Sequence, residues 1–255
     1  MSGGPSPANS ADALSIGARI ESLAMTDAMA HAAIDNAAAS MAHAAVDDVP
    51  ILYLDRHCIV AIKPAGLLSV PGRGPQNGDC LARRIQSRLD DALVVHRLDM
   101  ATSGLIVFAR GIDAQRRLSA SFERRDVDKR YVAVVAGRLA DDAGAIELPL
   151  IADWPNRPKQ RVDEQHGKAA LTHFRVLARD PGCDTTRVEL RPVSGRSHQL
   201  RVHLQAIGHP ILGDALYAPP AVRERATRLL LHAAALRFPH PATGGRVEVE
   251  SPAPF

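Results

Sequence analysis

Cysteine is scarce in this sequence. The 255 residues hold three, at Cys58, Cys80 and Cys183, far apart and with no Cys-x-x-Cys pair. That spacing excludes a zinc ribbon. So sparse and odd a count fits a reducing compartment, and a cytoplasmic location is expected. No apolar run approaches the roughly 20 residues that cross a bilayer, so no membrane association is expected. The N-terminus lacks a basic region followed by an unbroken apolar stretch, and its acidity disfavours a transit peptide. A dinucleotide fingerprint and a P-loop are both missing. The eleven histidines are scattered, and His198 and His203, five residues apart, do not share one helical face. Neither a metal nor a cofactor is expected.

Basic residues are nearly absent from residues 1–50. Arg19 stands there against six acids, a net of −5, which leaves +8 on the rest of a chain whose total is +3. A body with that surplus favours a polyanion such as RNA or DNA, and equally fits an arginine-rich soluble surface. With 46% hydrophobic and 23% charged residues, the composition is that of a globular protein with a sizeable core. Residues 1–48 are rich in Ala, Ser and Asp and hold no aromatic residue. The first ten read as disordered and 11–47 as one or two loose Ala-rich helices. The folded domain is expected over 49–255, as a monomer.

Within that domain, Ile51–Asp55 and Cys58–Ile62 read as a hairpin. Glycine and proline in 63–74 mark a loop. Asp79 is placed to cap a helix over 80–90 with Leu81, Ile85 and Leu89 inward and Arg83, Arg84 and Arg88 outward. Strands are predicted at 93–95, 105–109, 131–136, 146–151, 171–178, 186–190 and 246–250. Helices are predicted at 113–125, 196–207 and 221–232. Gly208 is suited to end the helix at 207, with Pro210 beyond. The irregular mixing of strands and helices predicts an α+β fold with a mixed, largely antiparallel sheet.

Three polar clusters carry candidate chemistry. His96-Arg97-Leu98-Asp99-Met100-Ala101-Thr102-Ser103-Gly104 lies between two predicted strands, where rigid elements can position a site. Taken alone, it reads as well as a surface turn with an Asp–Arg pair. Gly195-Arg196-Ser197-His198-Gln199-Leu200-Arg201-Val202-His203 opens a helix whose free N–H groups could hold an anion. Lys129-Arg130-Tyr131 opens a strand.

Together these clusters resemble the signature of the RluA-type pseudouridine synthases. His96-Arg97-Leu98-Asp99 with Thr102-Ser103-Gly104 resembles that family's catalytic motif, and Lys129-Arg130-Tyr131 its lysine-x-tyrosine motif. Gly195–His203 with Gly208–Asp214 resembles its C-terminal motif. Lys63-Pro64-Ala65-Gly66 and Pro71-Gly72 resemble its N-terminal loop. The resemblance runs from about residue 50 to the end, with the motifs in family order and spacing. Residues 1–48 are too short and too acidic for the S4 RNA-binding domain that many members carry. Asp153–Gln160 and Leu229–Ala233 are most similar to the dual-specificity members, which modify a 23S rRNA hairpin loop and a tRNA anticodon loop.

The resemblance implies an RNA isomerase with a basic active-site cleft. Pseudouridylation breaks the uridine N1–C1′ bond, turns the base and joins C5 to C1′, without redox change or hydrolysis. Asp99 is implied as the group that starts it, by attack on sugar or base or by removing a sugar proton. Arg201 is implied as the cation that keeps Asp99 charged, because its fork can hold a carboxylate through two bonds. Tyr131 is implied to stack on the uracil. Arg97 is implied to fill the place of the flipped base. His96, Thr102, Lys129, Arg196 and His198 are expected to bind substrate, and arginines within 73–88 and 116–130 to hold phosphates. Two other readings stand beside this one. A non-catalytic RNA-binding protein could use the same scaffold. A hydrolase could use Ser103 with His96 or His198, although no nucleophile elbow is present.

Overall fold

The computed structural model describes Met1 and residues 49–255 apart from 73 and 75–77. The expectations for residues 2–48 lie outside the described residues. The domain is built on ten strands of one sheet: β1 (Ile51–Leu54), β2 (Cys58–Lys63), β3 (Ala92–Val94), β4 (Ser103–Arg110), β5 (Asp128–Ala136), β6 (Ala143–Glu147), β9 (Leu171–Asp180), β10 (Thr185–Pro192), β11 (Leu231–Pro239) and β12 (Arg246–Glu250). The order is β1-β2-β4-β11-β5-β10-β9-β6, with β3 beside β4 and β12 beside β11. A separate hairpin joins β7 (Leu150–Ala152) to β8 (Gln160–Val162). The helices are α1 (Leu81–Gln86), α2 (Ile112–Glu123), α3 (Gln199–Ala206) and the short α4 (Pro220–Arg223). The fold is the α+β class with a mixed, mostly antiparallel sheet that the sequence predicts.

Strand β4 shows why the sheet is buried on both faces. Its side chains alternate with period two. Ile106 and Phe108 pack with Ile59, Leu81 and Ile85 on one side, and Leu105, Val107 and Ala109 with Val60, Leu118 and Phe238 on the other. A third cluster joins β5 and β10 to α3 through Val135, Leu190, Leu200 and Leu204. All strand pairs in the sheet are antiparallel except β4 with β11, where Ser103 faces His232 and Gly104 faces Ala233. That contact needs a glycine. Gly104 sits at φ +115°, and a Cβ there would lie 2.4 Å from the Ala233 carbonyl oxygen.

Several sequence expectations are corrected. The predicted helix 221–232 is α4 alone, and Leu231 begins the central strand β11. The run Leu231–Leu236 is buried throughout, and a strand enclosed on both faces shows no polar alternation to announce it. The strand predicted at 146–151 is two strands, because Pro149 lies between β6 and β7 and has no N–H to give a ladder. Asp79 does not cap α1. Its carboxylate takes Arg84 Nε and Nη2 at 2.9 and 2.7 Å instead. The helix predicted at 196–207 starts at Gln199. Gly208 follows its end at φ +86°, as its position predicts.

Candidate active site

Asp99 lies in the loop from β3 to β4, and the backbone around it is fastened at four points. His96 Nε2 accepts the Val107 N–H at 3.0 Å, and its ring stacks on Phe122 of α2 at 4.6 Å. A backbone N–H can only donate, so Nε2 is the bare nitrogen and Nδ1 carries the proton. Burial holds His96 in that neutral form, with its pKa pushed down to about 3, and nearby Lys129 adds to the effect. Leu98 is clasped by Ser69, whose Oγ receives the Leu98 N–H at 3.0 Å and donates to its carbonyl at 2.7 Å. The Met100 carbonyl accepts the Gly66 N–H at 2.8 Å and Lys63 Nζ at 3.0 Å. The Thr102 N–H closes a turn on the Asp99 carbonyl at 3.1 Å. The Asp99 side chain is thereby presented to the cleft from a fixed backbone.

Lys63 is the hub of this fastening. It is fully buried, and its three ammonium protons meet the carbonyls of Pro64, Leu67 and Met100 at 2.8, 2.7 and 3.0 Å. Burial lowers its pKa to about 8, against the pull of Asp99.

The Asp99 carboxylate is 28% exposed and lies 3.6 Å from Arg201 Nη1 and 3.9 Å from His198 Nε2. The resemblance implied a two-bond grip of Arg201 on Asp99, and the structure corrects this. The fork, Nε and Nη2, holds Asp214 at 2.8 and 2.6 Å, and Asp99 receives only the remaining nitrogen. Asp214 has the greater need. It is 1% exposed and fixed by N–H bonds from Leu216 and Tyr217, and a buried charge must be paired. Burial opposes the charge on Arg201, but Asp214 and then Asp99 outweigh it and raise its pKa.

His198 precedes α3 at φ +54°, in the left-handed region, which costs a non-glycine residue about 1–3 kcal/mol and is typical of functional sites. Its Nδ1 meets the Tyr217 hydroxyl at 2.6 Å. That hydroxyl also accepts the Gln160 N–H at 2.8 Å. The other ring nitrogen, Nε2, faces Asp99. Burial lowers the His198 pKa and outweighs the opposing pull of Asp99. Burial also pushes the Tyr217 phenol up to about 12, against the Gln160 bond.

Tyr131, on β5 between β10 and β11, has its phenol pKa raised by burial and then by Asp99. Burial, then Arg125, lowers that of Lys129. A cavity of about 100 Å³ gathers Asp99, Arg97, Lys129, Tyr131, His198 and Arg201, with Thr102 and Arg196 also on its wall. Arg97 is exposed and makes no side-chain ion pair among the described residues. Two larger cavities adjoin, about 520 Å³ reached past Lys129 and about 630 Å³ reached past Arg97. Of the nine predicted site residues, only His96 is not on the cleft wall, since its ring turns inward. Arg125 lines the 520 Å³ cavity, whereas Arg83, Arg84 and Arg88 line none of the three. Sequence reasoning assigned no role to Lys63, Ser69, Asp214 or Tyr217. Lys63 and Asp214 stand inside quoted motifs, but only the tertiary fold shows what they hold.

Asp55, Cys58 and His240 bring metal-capable atoms within 4.8 Å of one another. His240 Nδ1 accepts the N–H groups of Ala242 and Thr243. Its proton is therefore on Nε2, donated to Asp55 at 2.7 Å, and the ring offers no lone pair to an ion.

Residues 57–206 match the family model described as RNA pseudouridylate synthase. The chain is 52% identical over 205 residues to the "Dual-specificity RNA pseudouridine synthase RluA" of Yersinia pestis, covering 80% of this chain and 99% of that protein. It is also 52% identical over 207 residues to the protein of that name from Escherichia coli strain K12, covering 80% and 93%. Among solved structures, it is similar to Human RNA Pseudouridylate Synthase Domain Containing 1, with a TM-score of 0.70 and 29% identity over 83% of this chain and 86% of that one. Human RNA Pseudouridylate Synthase Domain Containing 4 gives 0.65 and 25% over 80% and 88%. No helix among the described residues is long and apolar enough to cross a membrane. Motifs, fold and relatives agree, and the chain belongs to the RNA pseudouridylate synthase family, in its RluA-type branch.

Proposed function

We propose that the protein isomerises uridines in a 23S rRNA hairpin loop and a tRNA anticodon loop, with Asp99 as the reacting carboxylate. The observation that carries this reading is the Asp99 side chain, presented to the cleft from an immobilised backbone with the Arg201 guanidinium 3.6 Å away. Pre-placed charge of this kind lowers a barrier without reorganisation during the reaction. Asp99 starts cleavage of N1–C1′, Tyr131 offers a flat face against which the uracil turns, and once C5–C1′ has formed the C5 proton leaves to solvent while N1, freed from C1′, takes one up from solvent. The target base must leave its stack, at least cost in a loop, and Arg97 at the cleft mouth fills the gap. His198 and Arg196 border the nucleotide, and Lys129 adds positive charge. The dual substrate is supported by the name shared by the bacterial relatives. We place the enzyme in the cytoplasm as a monomer.

Asp99→Asn should abolish tritium release from RNA carrying 5-tritiated uridine while leaving RNA binding in place. Full release by that variant would remove Asp99 from the chemistry. Expression in cells lacking their own RluA-type enzyme, with pseudouridine mapped in tRNA and 23S rRNA, tests the two targets. Modification of one RNA alone would reduce the proposal to a single substrate.

A further inference from the structure

Trp154 is the sole tryptophan of the chain, and it is 65% exposed. Tryptophan is on average a well-buried residue, and this one is outside every core cluster. It opens a single 3₁₀ turn, Trp154–Asn156, in the link from β7 to β8. The link is stiff. Asp153 N–H bonds the Lys159 carbonyl at 2.9 Å, Asn156 N–H the Asp153 carbonyl at 3.0 Å, and Lys159 N–H the Asn156 carbonyl at 3.0 Å. The Gln160 N–H then ties β8 to the Tyr217 hydroxyl at 2.8 Å, one hydrogen bond from His198. The Arg157 guanidinium lies 3.2 Å from the centre of the indole. A cation thus lies over the ring, and the residue still leaves most of its surface exposed.

Arg157 also lines the 630 Å³ cavity, which shares Arg97, Asp99 and His198 with the central site. The indole therefore stands one side chain outside a basic hollow that leads to Asp99. A rigid, exposed aromatic beside such a hollow has the chemistry of a stacking surface for single-stranded nucleic acid, and a guanidinium over the ring strengthens it.

We propose that Trp154, backed by Arg157, is a stacking platform for an unpaired nucleobase of the RNA flanking the uridine at Asp99. This rests on the RNA-modifying reading above and adds a second nucleotide subsite to it. Every base has a π face, so the platform holds a loop without reading its sequence, as an enzyme accepting two different loops requires.

The lone tryptophan supplies its own reporter. Binding of a hairpin RNA with the target uridine in its loop to the Asp99→Asn protein should quench the indole fluorescence and saturate with the binding curve. In the otherwise wild-type enzyme, Trp154→Ala should raise KM for that RNA about tenfold, within the range of one lost base stack. The loss should fall on KM rather than kcat, and Trp154→Phe should recover most of it. An abasic nucleotide at the stacked position should weaken the wild type by the same factor and Trp154→Ala no further. RNA binding with unchanged fluorescence and an unchanged KM in Trp154→Ala would overturn the platform. If the wild type releases no tritium, the functional reading fails by itself, while quenching still reports on the platform.

Discussion

Arg201 divides its guanidinium between two carboxylates. Two nitrogens are committed to buried Asp214, and the third faces Asp99. Asp214 thus sets the plane and position of the guanidinium, and Asp99 meets a cation that does not need it for pairing. Asp214→Asn keeps the shape of the side chain but leaves the guanidinium with less compensation in a buried place. Removing one partner of a buried pair costs about 3–5 kcal/mol, and the neutral amide should retain part of that. A loss of roughly 2–4 kcal/mol in urea unfolding is expected, with a fall in kcat larger than any rise in KM because the cation beside Asp99 shifts. Unchanged kcat in the folded variant would show that Arg201 needs no positioning. The clusters holding Asp99 and Arg201 are legible in the sequence because each is contiguous. The role of Asp214 is not, since 13 residues and a turn bring it back to Arg201. The same holds for Lys63, a solitary lysine until the fold wraps three carbonyls around it.

At the scale of elements, the parallel contact of β4 with β11 joins the two parts of the sheet. It lies immediately after the Asp99 loop, since Ser103 and Gly104 are the first residues of β4. Ser103 Oγ accepts from Arg228 and is hydrogen-bonded to His232 Nδ1 at 2.8 Å, so the start of β4 is bonded to β11 through side chains too. Gly104→Ala would drive a methyl group into the Ala233 backbone at a φ that L-residues avoid. Overpacking and backbone strain each cost about 1–3 kcal/mol, so a loss of about 2–6 kcal/mol is expected, seen as a lower urea midpoint or as insoluble protein. Wild-type stability in this variant would mean that the strands do not approach so closely. Strands with a polar neighbour on one face or a clear turn between them, such as β1–β2 and β9–β10, are readable from the sequence. Strand β11 is not, because Leu-His-Ala-Ala-Ala-Leu is compatible with a buried helix as much as with a buried strand. Only the seat it takes between β4 and β5 decides.

Across the whole domain, burial holds His96, His203 and His232 neutral. His96 accepts from Val107. His203 Nε2 faces the Leu148 carbonyl at 3.0 Å, which can only accept, and Nδ1 takes the Thr172 hydroxyl at 3.0 Å. His232 Nδ1 meets the Ser103 hydroxyl at 2.8 Å and its Nε2 the Ser251 hydroxyl at 3.2 Å. Burial is the leading cause that lowers all three pKa values, to about 3 for His96, to about 4 for His232, and downward for His203. In the unfolded chain each protonates near pH 6.5. Between pH 6.5 and about 4 the unfolded state therefore binds protons that the folded state refuses. Stability is fully present above that window and is lost as the pH falls through it, with a slope approaching about 1.4 kcal/mol per pH unit for each histidine. Urea unfolding at pH 7, 6 and 5 should show the decline well before most carboxylates titrate. His232→Gln should reduce the slope by about one histidine's share, whatever it does to absolute stability, because glutamine takes up no proton in either state. A midpoint that stays level from pH 7 to 5 would mean that these rings are protonated inside the fold.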